Sequence, residues 1–221
     1  MKVLIFGATG MVGQGVLREC LLASDVDRVR IVGRTDSGQR HPKLDEVVRS
    51  DLFDYAGLDD KLSGFDACFF CLGVSSVGVK EADYTRITYD LTLAAAQTLA
   101  RLNPPMTFIY VTGAYTDSSE HGRTMWARVK GRTENALLRL PFKAFAFRPG
   151  VILPVHGAKS KTGPIRWFYA ATGPLLSLGR RLAPNVILTT EIVGRAMLAV
   201  ARHGAQKRVL ESADIEALGR E

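Results

Sequence analysis

The sequence predicts an α/β fold, a doubly wound parallel sheet with helices on both faces. Three observations predict it. Short apolar runs recur along the chain and alternate with helical patterns. Several of these runs are apolar throughout, as strands covered on both faces are. A glycine-rich turn, Gly7-Ala8-Thr9-Gly10-Met11-Val12-Gly13, stands between the first run and the first helix. At 221 residues the chain is most simply one domain, 1–221, with 151–221 as a small substrate or lid lobe.

The elements follow in order. "KVLIF" (2–6) reads as a strand, and "MVGQGVLRECLLAS" as the helix after the glycine turn. "RVRIVG" (28–33) is a second strand, and "DEVVRSDL" holds a third. "FDACFFCLG" (65–73) is a fourth. A long helix runs from about Lys80 to Leu102 and is stopped by Asn103-Pro104-Pro105. "MTFIYVTG" (106–113) is a fifth strand, "RTMWARVKGRTENALL" (123–138) an amphipathic helix, and "KAFAFRPG" (143–150) a sixth strand. After Gly150 the pattern changes. "VILPVHGAKSKTGP" reads as loop, "IRWFYAATGPLLSLGRRLAP" as an apolar and basic segment broken by Gly173-Pro174. "TTEIVGRAMLAVARHG" is a helix with Thr189 or Thr190 as N-cap, and "RVLESADIEALGRE" a short strand and helix. These last pieces are expected to pack as a lobe over the end of the sheet.

Composition narrows the class. Apolar content of 47% and charged content of 23% are those of an ordinary soluble globular protein. No apolar run approaches the roughly 20 residues of a membrane span, and the first strand begins at Lys2, which leaves no room for a signal peptide. A cytoplasmic protein is expected. The three cysteines, Cys20, Cys68 and Cys71, do not make a disulfide framework. Cys68 and Cys71 are three apart on a strand and point to opposite faces, so they read as core residues and no metal site is expected. The formal net charge is +7. Zinc-ligand spacing, an RNP-type aromatic motif and a concentrated basic run are all missing, so no nucleic-acid partner is expected.

The glycine turn is the strongest chemical signal. Gly7 permits the tight turn, Gly10 lets backbone approach a pyrophosphate, and Gly13 lets the helix pack closely on the strand. Amides and the dipole at the helix start favour an anion. This makes the fold Rossmann-type, with Gly7, Thr9, Gly10, Met11, Val12 and Gly13 as cofactor-binding residues. At the end of the second strand an acid suits the 2′-hydroxyl of NAD, whereas an arginine suits the 2′-phosphate of NADP. Gly33-Arg34-Thr35 stands there, with no acid before Asp36. Arg34 therefore points to NADP over NAD, and Arg40, His41 and Lys43 could add charge on the same rim. The plainer alternative is a surface arginine.

These residues resemble the short-chain dehydrogenase/reductase superfamily in its extended or atypical branch. The matches are "VLIFGATGMVGQGVL", "IVGR", "SDLFD", "CLG", "YVTGA", "VKGRTENALL" and "FRPGVI", and the likeness is good over about residues 1–155. It is nearest to NAD(P)-binding epimerase/dehydratase-like proteins of the Tat-interacting reductase-like group. The resemblance implies that Asp51 and Leu52 lie against adenine, and that Cys71, Leu72 and Gly73 border the adenine ribose and the nicotinamide side. It also implies that Thr112 stands at or beside the catalytic serine, that Lys130 bonds the nicotinamide ribose, and that Pro149, Gly150 and Val151 present backbone to the nicotinamide amide.

One departure matters. The family's tyrosine, four residues before the lysine, does the proton chemistry; here that position is Trp126. Indole has one N–H donor and does not titrate. Trp126 is expected to wall the substrate side of the cleft, with Tyr115, His121, Asp117 or water as replacement proton donors and Tyr115 named with Thr112 and Lys130 as catalytic. Three functions stay open: an NADP-dependent oxidoreductase on an unknown carbonyl or alcohol substrate, a non-catalytic NADP(H)-binding sensor or regulator, and a nucleotide-sugar epimerase or dehydratase. The apolar and basic segment 165–183 suggests a cleft cover, a homodimer contact or a weak membrane-surface contact, with Arg166, Arg180 and Arg181 at the rim.

Overall fold

The computed structural model describes residues 1–159, 179–180, 183 and 185–221. Among these, seven strands form one parallel sheet in the order β3-β2-β1-β4-β5-β6-β9. They are β1 Lys2–Phe6, β2 Arg28–Gly33, β3 Leu44–Val48, β4 Ala67–Phe70, β5 Thr107–Val111, β6 Lys143–Arg148 and β9 Val209–Glu211. The order reverses between β1 and β4, and a crevice opens at such a point outside the carboxyl ends of the strands.

Apolar side chains alternate between the two sheet faces and build one core on each. On the first face Val3, Ile5, Ala67, Phe69 and Ile109 pack with helix α1 (Met11–Leu22) and with α6 (Thr190–His203). On the second, Leu4, Phe6, Cys68, Phe70 and Phe108 meet α4 (Leu91–Leu102). Here Phe6, Phe70, Phe108 and Phe142 stack in sequence, with ring centroids 5.1, 5.8 and 5.0 Å apart. Such cross-strand aromatic contacts add roughly 0.5–1.5 kcal/mol each beyond area burial. The two-face reading of the cysteines holds: Cys68 lies in the second core and Cys71 packs against the first.

Four expectations change. The long helix is three segments end to end, α3 Glu81–Thr85, a π-helical turn Arg86–Asp90, and α4. Its sequence holds neither Pro nor Gly, so nothing local marks the inserted residue. A four-residue helix, α2 Asp59–Leu62, was not anticipated. The stretch after Gly150 is not all loop: β7 Val151–Leu153 pairs in parallel with β8 Ile187–Thr189. Finally, residues 190–221 do not cap the end of the sheet. β9 joins its edge beside β6, and α6 lies on α1 so closely that a Cβ on Gly15 would come within 2.5 Å of Thr190. Helix α7 (Ser212–Arg220) follows β9 directly. The expected N-cap is present: Thr189 Oγ1 accepts from the Ile192 amide at 3.1 Å.

Candidate functional site

The residues that follow strands β1, β2, β4, β5 and β6 converge on one cleft of about 1000 Å³. Its floor is the glycine turn. Gly7 has φ +79°, and a Cβ there would sit 2.6 Å from the Leu72 amide nitrogen. Gly13 is as constrained, since a Cβ would lie 2.2 Å from the Gly7 carbonyl oxygen. Gly13 therefore serves packing and does not itself line the cleft. Helix α1 begins with no acidic residue in its first turn and no side-chain cap. Its first amides thus keep their unmatched donors for an anion. This is a cradle that a pyrophosphate fits, made of backbone that side chains would fill.

Gly33, Arg34 and Thr35 form the wall beyond the turn. Arg34 is exposed and makes no ion pair among the described residues. Asp36 is paired with Arg40 at 3.3 Å and accepts from the Gly38 amide at 2.6 Å. That Arg40 hydrogen bond is the main reason its carboxyl is held below the ordinary range. The other rim cations expected there are turned elsewhere. Arg40 serves Asp36, and Lys43 Nζ donates to the carbonyls of Leu21 and Ala23 at 3.3 and 2.7 Å, closing the end of α1. His41 Nδ1 accepts from the Lys43 amide at 3.2 Å. Leu52 reaches the cleft. Asp51 does not: it is exposed and accepts from the Phe53 amide at 2.8 Å.

The opposite end is built from side chains. Thr112, Lys130, Pro149 and Gly150 line it, with Cys71, Leu72 and Gly73 between the two ends. Lys130 stands on α5 (Met125–Leu137), and its ammonium donates to the Thr112 carbonyl. Burial pushes its pKa below the ordinary lysine value, with Glu134 pulling the other way. Thr112 Oγ1 lies 2.6 Å from Glu134 Oε1 and 3.1 Å from the Phe147 carbonyl, and its hydrogen goes to one or the other. Glu134 is fully buried and takes a forked contact from Arg148, Nε to Oε1 at 3.1 Å and a second nitrogen to Oε2 at 2.5 Å. Arg148 also reaches Ser118 Oγ at 2.5 Å and Glu211 at 3.3 Å. Burial works against the Arg148 charge, but pairing with Glu134 outweighs it and holds the guanidinium above its ordinary value.

Besides Gly13 and Asp51, three expected site residues stand apart. Tyr115 has φ +65°, is 89% exposed and does not line the cleft, so it is not placed to act there. Val151 is exposed while its neighbour Ile152 lines the cleft. Trp126 lies one turn from Lys130, its ring centroid 5.8 Å from Nζ, yet it is not a lining residue. It backs the lysine instead of walling the cleft. The loop before α5 offers little proton chemistry. Asp117 accepts from the Ser119 hydroxyl at 2.6 Å and the Gly122 amide at 2.7 Å, which holds its carboxyl low. The loop lies tight on α5: a Cβ on Gly131 would overlap the Asp117 carbonyl oxygen at 1.8 Å.

Sequence reading missed Glu134 and Arg148. The signal was present: Glu134 falls four residues past Lys130, on the same helix face, and Arg148 follows the apolar run Ala144–Phe147. Two opposite charges at core positions require each other. Of segment 165–183 the described residues are Gly179, Arg180 and Ala183; Arg166, Trp167 and Arg181 lie outside them. Arg180 faces Glu216 at 3.2 Å and the Ile187 carbonyl at 2.5 Å rather than a free rim.

A parallel sheet, a glycine turn at a helix start and a cleft at the switch point together define a dinucleotide-binding protein of Rossmann type. Residues 3–125, more than half of the chain, match the NAD dependent epimerase/dehydratase family. The chain belongs to that family. It is 26% identical over 230 residues to the protein named fmp52-2, mitochondrial, of Aspergillus oryzae, covering 98% of this chain and 96% of that one. It is 27% identical over 226 residues to the HTATIP2 protein of Rattus norvegicus, covering 100% and 90%. Among solved structures it resembles the Bordetella bronchiseptica enzyme WbmF in complex with NAD+, with TM-score 0.69, 16% identity, and 98% and 76% of the two chains covered. It also resembles the YIR035C short-chain dehydrogenase/reductase of Saccharomyces cerevisiae, with TM-score 0.62, 16% identity, and 98% and 97% covered. One expectation is overturned here. A cytoplasmic protein was expected, but fungal relatives from Aspergillus oryzae, Neosartorya fischeri and Chaetomium globosum are named mitochondrial.

Proposed function

We propose that the chain binds NADP(H) and works as an oxidoreductase on a small carbonyl or alcohol. The observation that carries the reading is Arg34, an exposed guanidinium on the cleft wall where the second strand ends. The first acid after it, Asp36, is occupied by Arg40. A cation is on offer and a carboxylate is withheld, which favours a ribose phosphate over a ribose hydroxyl. The residues that would hold the cofactor are the glycine turn for the pyrophosphate, Arg34 for the 2′-phosphate, Leu52 for adenine, and Lys130, Pro149 and Gly150 for the far end. When bound, the cofactor supplies or accepts a hydride. The chain's part is to orient the substrate carbon, exclude water and handle one proton.

A second reading, a non-catalytic NADP(H) sensor, is favoured by Trp126 standing where the resemblance puts a proton donor and by the engaged hydroxyl of Thr112. Epimerisation or dehydration of a nucleotide sugar, the chemistry in the family's name, has less support for the same reason. Fluorescence titration of the apoprotein with NADPH and NADH tests the cofactor. NADPH should bind about ten- to a hundredfold more tightly, as a charge-assisted contact of ~1.5–3 kcal/mol implies. Equal affinities overturn the NADP assignment. NADPH consumption against a panel of aldehydes, ketones and quinones then separates the first two readings, since a sensor binds and consumes nothing.

A further inference from the structure

We propose that Lys130 itself exchanges the proton with the substrate oxygen, in place of the missing tyrosine. The inference rests on the oxidoreductase reading and deepens it.

The titratable side chains among the described residues lining the cleft are Arg34, Cys71 and Lys130. Arg34 belongs to the other end of the cleft and does not release its proton in proteins. Burial pushes the Cys71 thiol up to about 12. Thr112 also lines the cleft, but its single hydrogen is committed to Glu134 or to the Phe147 carbonyl. Toward a ligand it therefore offers lone pairs and no proton. Tyr115 is outside the cleft, and Asp117 is tied into its own loop. Trp126 donates one N–H hydrogen bond but does not release that proton.

Lys130 remains, and its position suits the task. An ammonium has three N–H donors; one goes to the Thr112 carbonyl, which leaves two for ligand. The Trp126 ring lies on one side of the ammonium, its centroid 5.8 Å from Nζ. The charged groups facing it are few. Glu134, one turn further along α5, favours the ammonium. Its charge is shared with Arg148 of β6, and Arg148 meets Glu211 of β9. From the loop before α5, Asp117 is turned to Ser119 and Gly122. Desolvation prevails, so the proton leaves Lys130 more readily than it leaves an exposed lysine.

In the reducing direction, the substrate carbon would gain its new C–H bond from the hydride of a bound reduced nicotinamide as the carbonyl π pair moves to oxygen. An N–H bond of Lys130 breaks, its proton forms the O–H bond of the alcohol, and the electron pair stays on Nζ. The amine then takes a proton from water. The substrate is reduced by two electrons, the nicotinamide is oxidised by two, and the lysine ends unchanged.

Acetic anhydride reacts with neutral amines. The pH dependence of Lys130 acetylation in the native apoprotein, read by mass spectrometry, therefore gives its midpoint without turnover. That midpoint should lie below the one for exposed Lys61 in the same sample. With NADPH and 9,10-phenanthrenequinone as probe, wild-type turnover should fall as pH rises through the same midpoint. Lys130→Arg keeps a cation but cannot release a proton, so turnover at saturating NADPH should drop ~10²–10⁴-fold, whatever the change in NADPH affinity. An acetylation midpoint equal to that of Lys61, or an arginine variant as fast as the wild type, overturns the proposal alone. A wild type that binds no NADPH, or binds it and reduces no probe, overturns the oxidoreductase reading beneath it.

Discussion

The two ends of the cleft are made of different material. The pyrophosphate end is backbone: Gly7 and Gly13 hold a strand, a turn and a helix at distances that a Cβ would not allow, and a Cβ on Gly10 would lie a tight 3.3 Å from the Gly7 carbonyl oxygen. The other end is a chain of side chains, Lys130 to the Thr112 carbonyl, Thr112 to Glu134, Glu134 to Arg148, and Arg148 to Ser118 and Glu211. The backbone end is fixed by sterics over seven consecutive residues. The side-chain end is fixed by partners 22, 14 and 63 residues apart in sequence. In folding stability, the backbone end should tolerate the loss of an exposed charge and fail on a single methyl. The side-chain end should fail where one member of its buried Glu134–Arg148 pair is removed.

The largest expected effect is at Glu134. Glu134→Ala leaves the Arg148 guanidinium buried without its carboxylate, and breaking a buried pair this way costs about 3–5 kcal/mol. Urea denaturation should show a lower midpoint with little change in slope. A midpoint within experimental error of wild type would mean that water or Glu211 replaces the lost partner. Next is Arg34→Ala, which should weaken NADPH about ten- to a hundredfold and leave stability within about 0.5 kcal/mol, as exposed surface changes usually do. Comparable loss of NADH affinity would show that Arg34 does not read the ribose phosphate. Gly131→Ala forces α5 away from the Asp117 carbonyl, an overpacking cost of ~1–3 kcal/mol, visible in the same urea experiment. Gly13→Ala should be at least as costly and should also reduce NADPH affinity, since the turn itself must move.

A pH experiment sharpens the contrast. Because burial lowers the folded-state pKa of Lys130, the unfolded chain binds more protons between that lowered value and the ordinary lysine value of 10.5. Stability from this site therefore rises with pH across that window. Below it, burying the charge is a standing penalty, so Lys130→Met should stabilise the apoprotein at neutral pH, with the gain shrinking toward pH 10.5. A gain that grows with pH would mean the ammonium is stabilised in the fold. Smallest of all, Trp126→Phe should barely change NADPH affinity, because the ring backs the lysine without lining the cleft. Trp126→Tyr puts a hydroxyl beside Lys130, and turnover should rise only if that hydroxyl reaches substrate.

The same contrast explains what the sequence discloses. Local rules sufficed where neighbours in sequence are neighbours in space. The glycine turn, the bounds of β1 and β2 and the Thr189 cap belong here. They failed where the partner is distant. Asp51 and Val151 were placed in the site because their neighbours fit the family pattern, but strand alternation turns Val151 outward and Leu52 takes the cleft position beside Asp51. Tyr115 was chosen for its chemistry, and no local signal reveals that its side chain is exposed. The β7–β8 pair joins residues whose local patterns give no hint of each other. Glu134 and Arg148 were readable in principle, as two charges in apolar settings, but only by considering them together.

The position of β9 has a consequence for how the protein is made. The last strand of the sheet is encoded at residues 209–211 and pairs with β6 at 146–148. Residues 190–203 must also arrive before the outer face of α1 is covered. A ribosome adding 5–20 residues per second therefore exposes a nearly complete sheet with one bare edge for several seconds. Arg148 meanwhile waits for Glu211. Such an edge invites pairing with other chains. The nascent protein is thus most vulnerable late in synthesis, and a chain that stops a dozen residues short would lack its final strand and present that edge permanently.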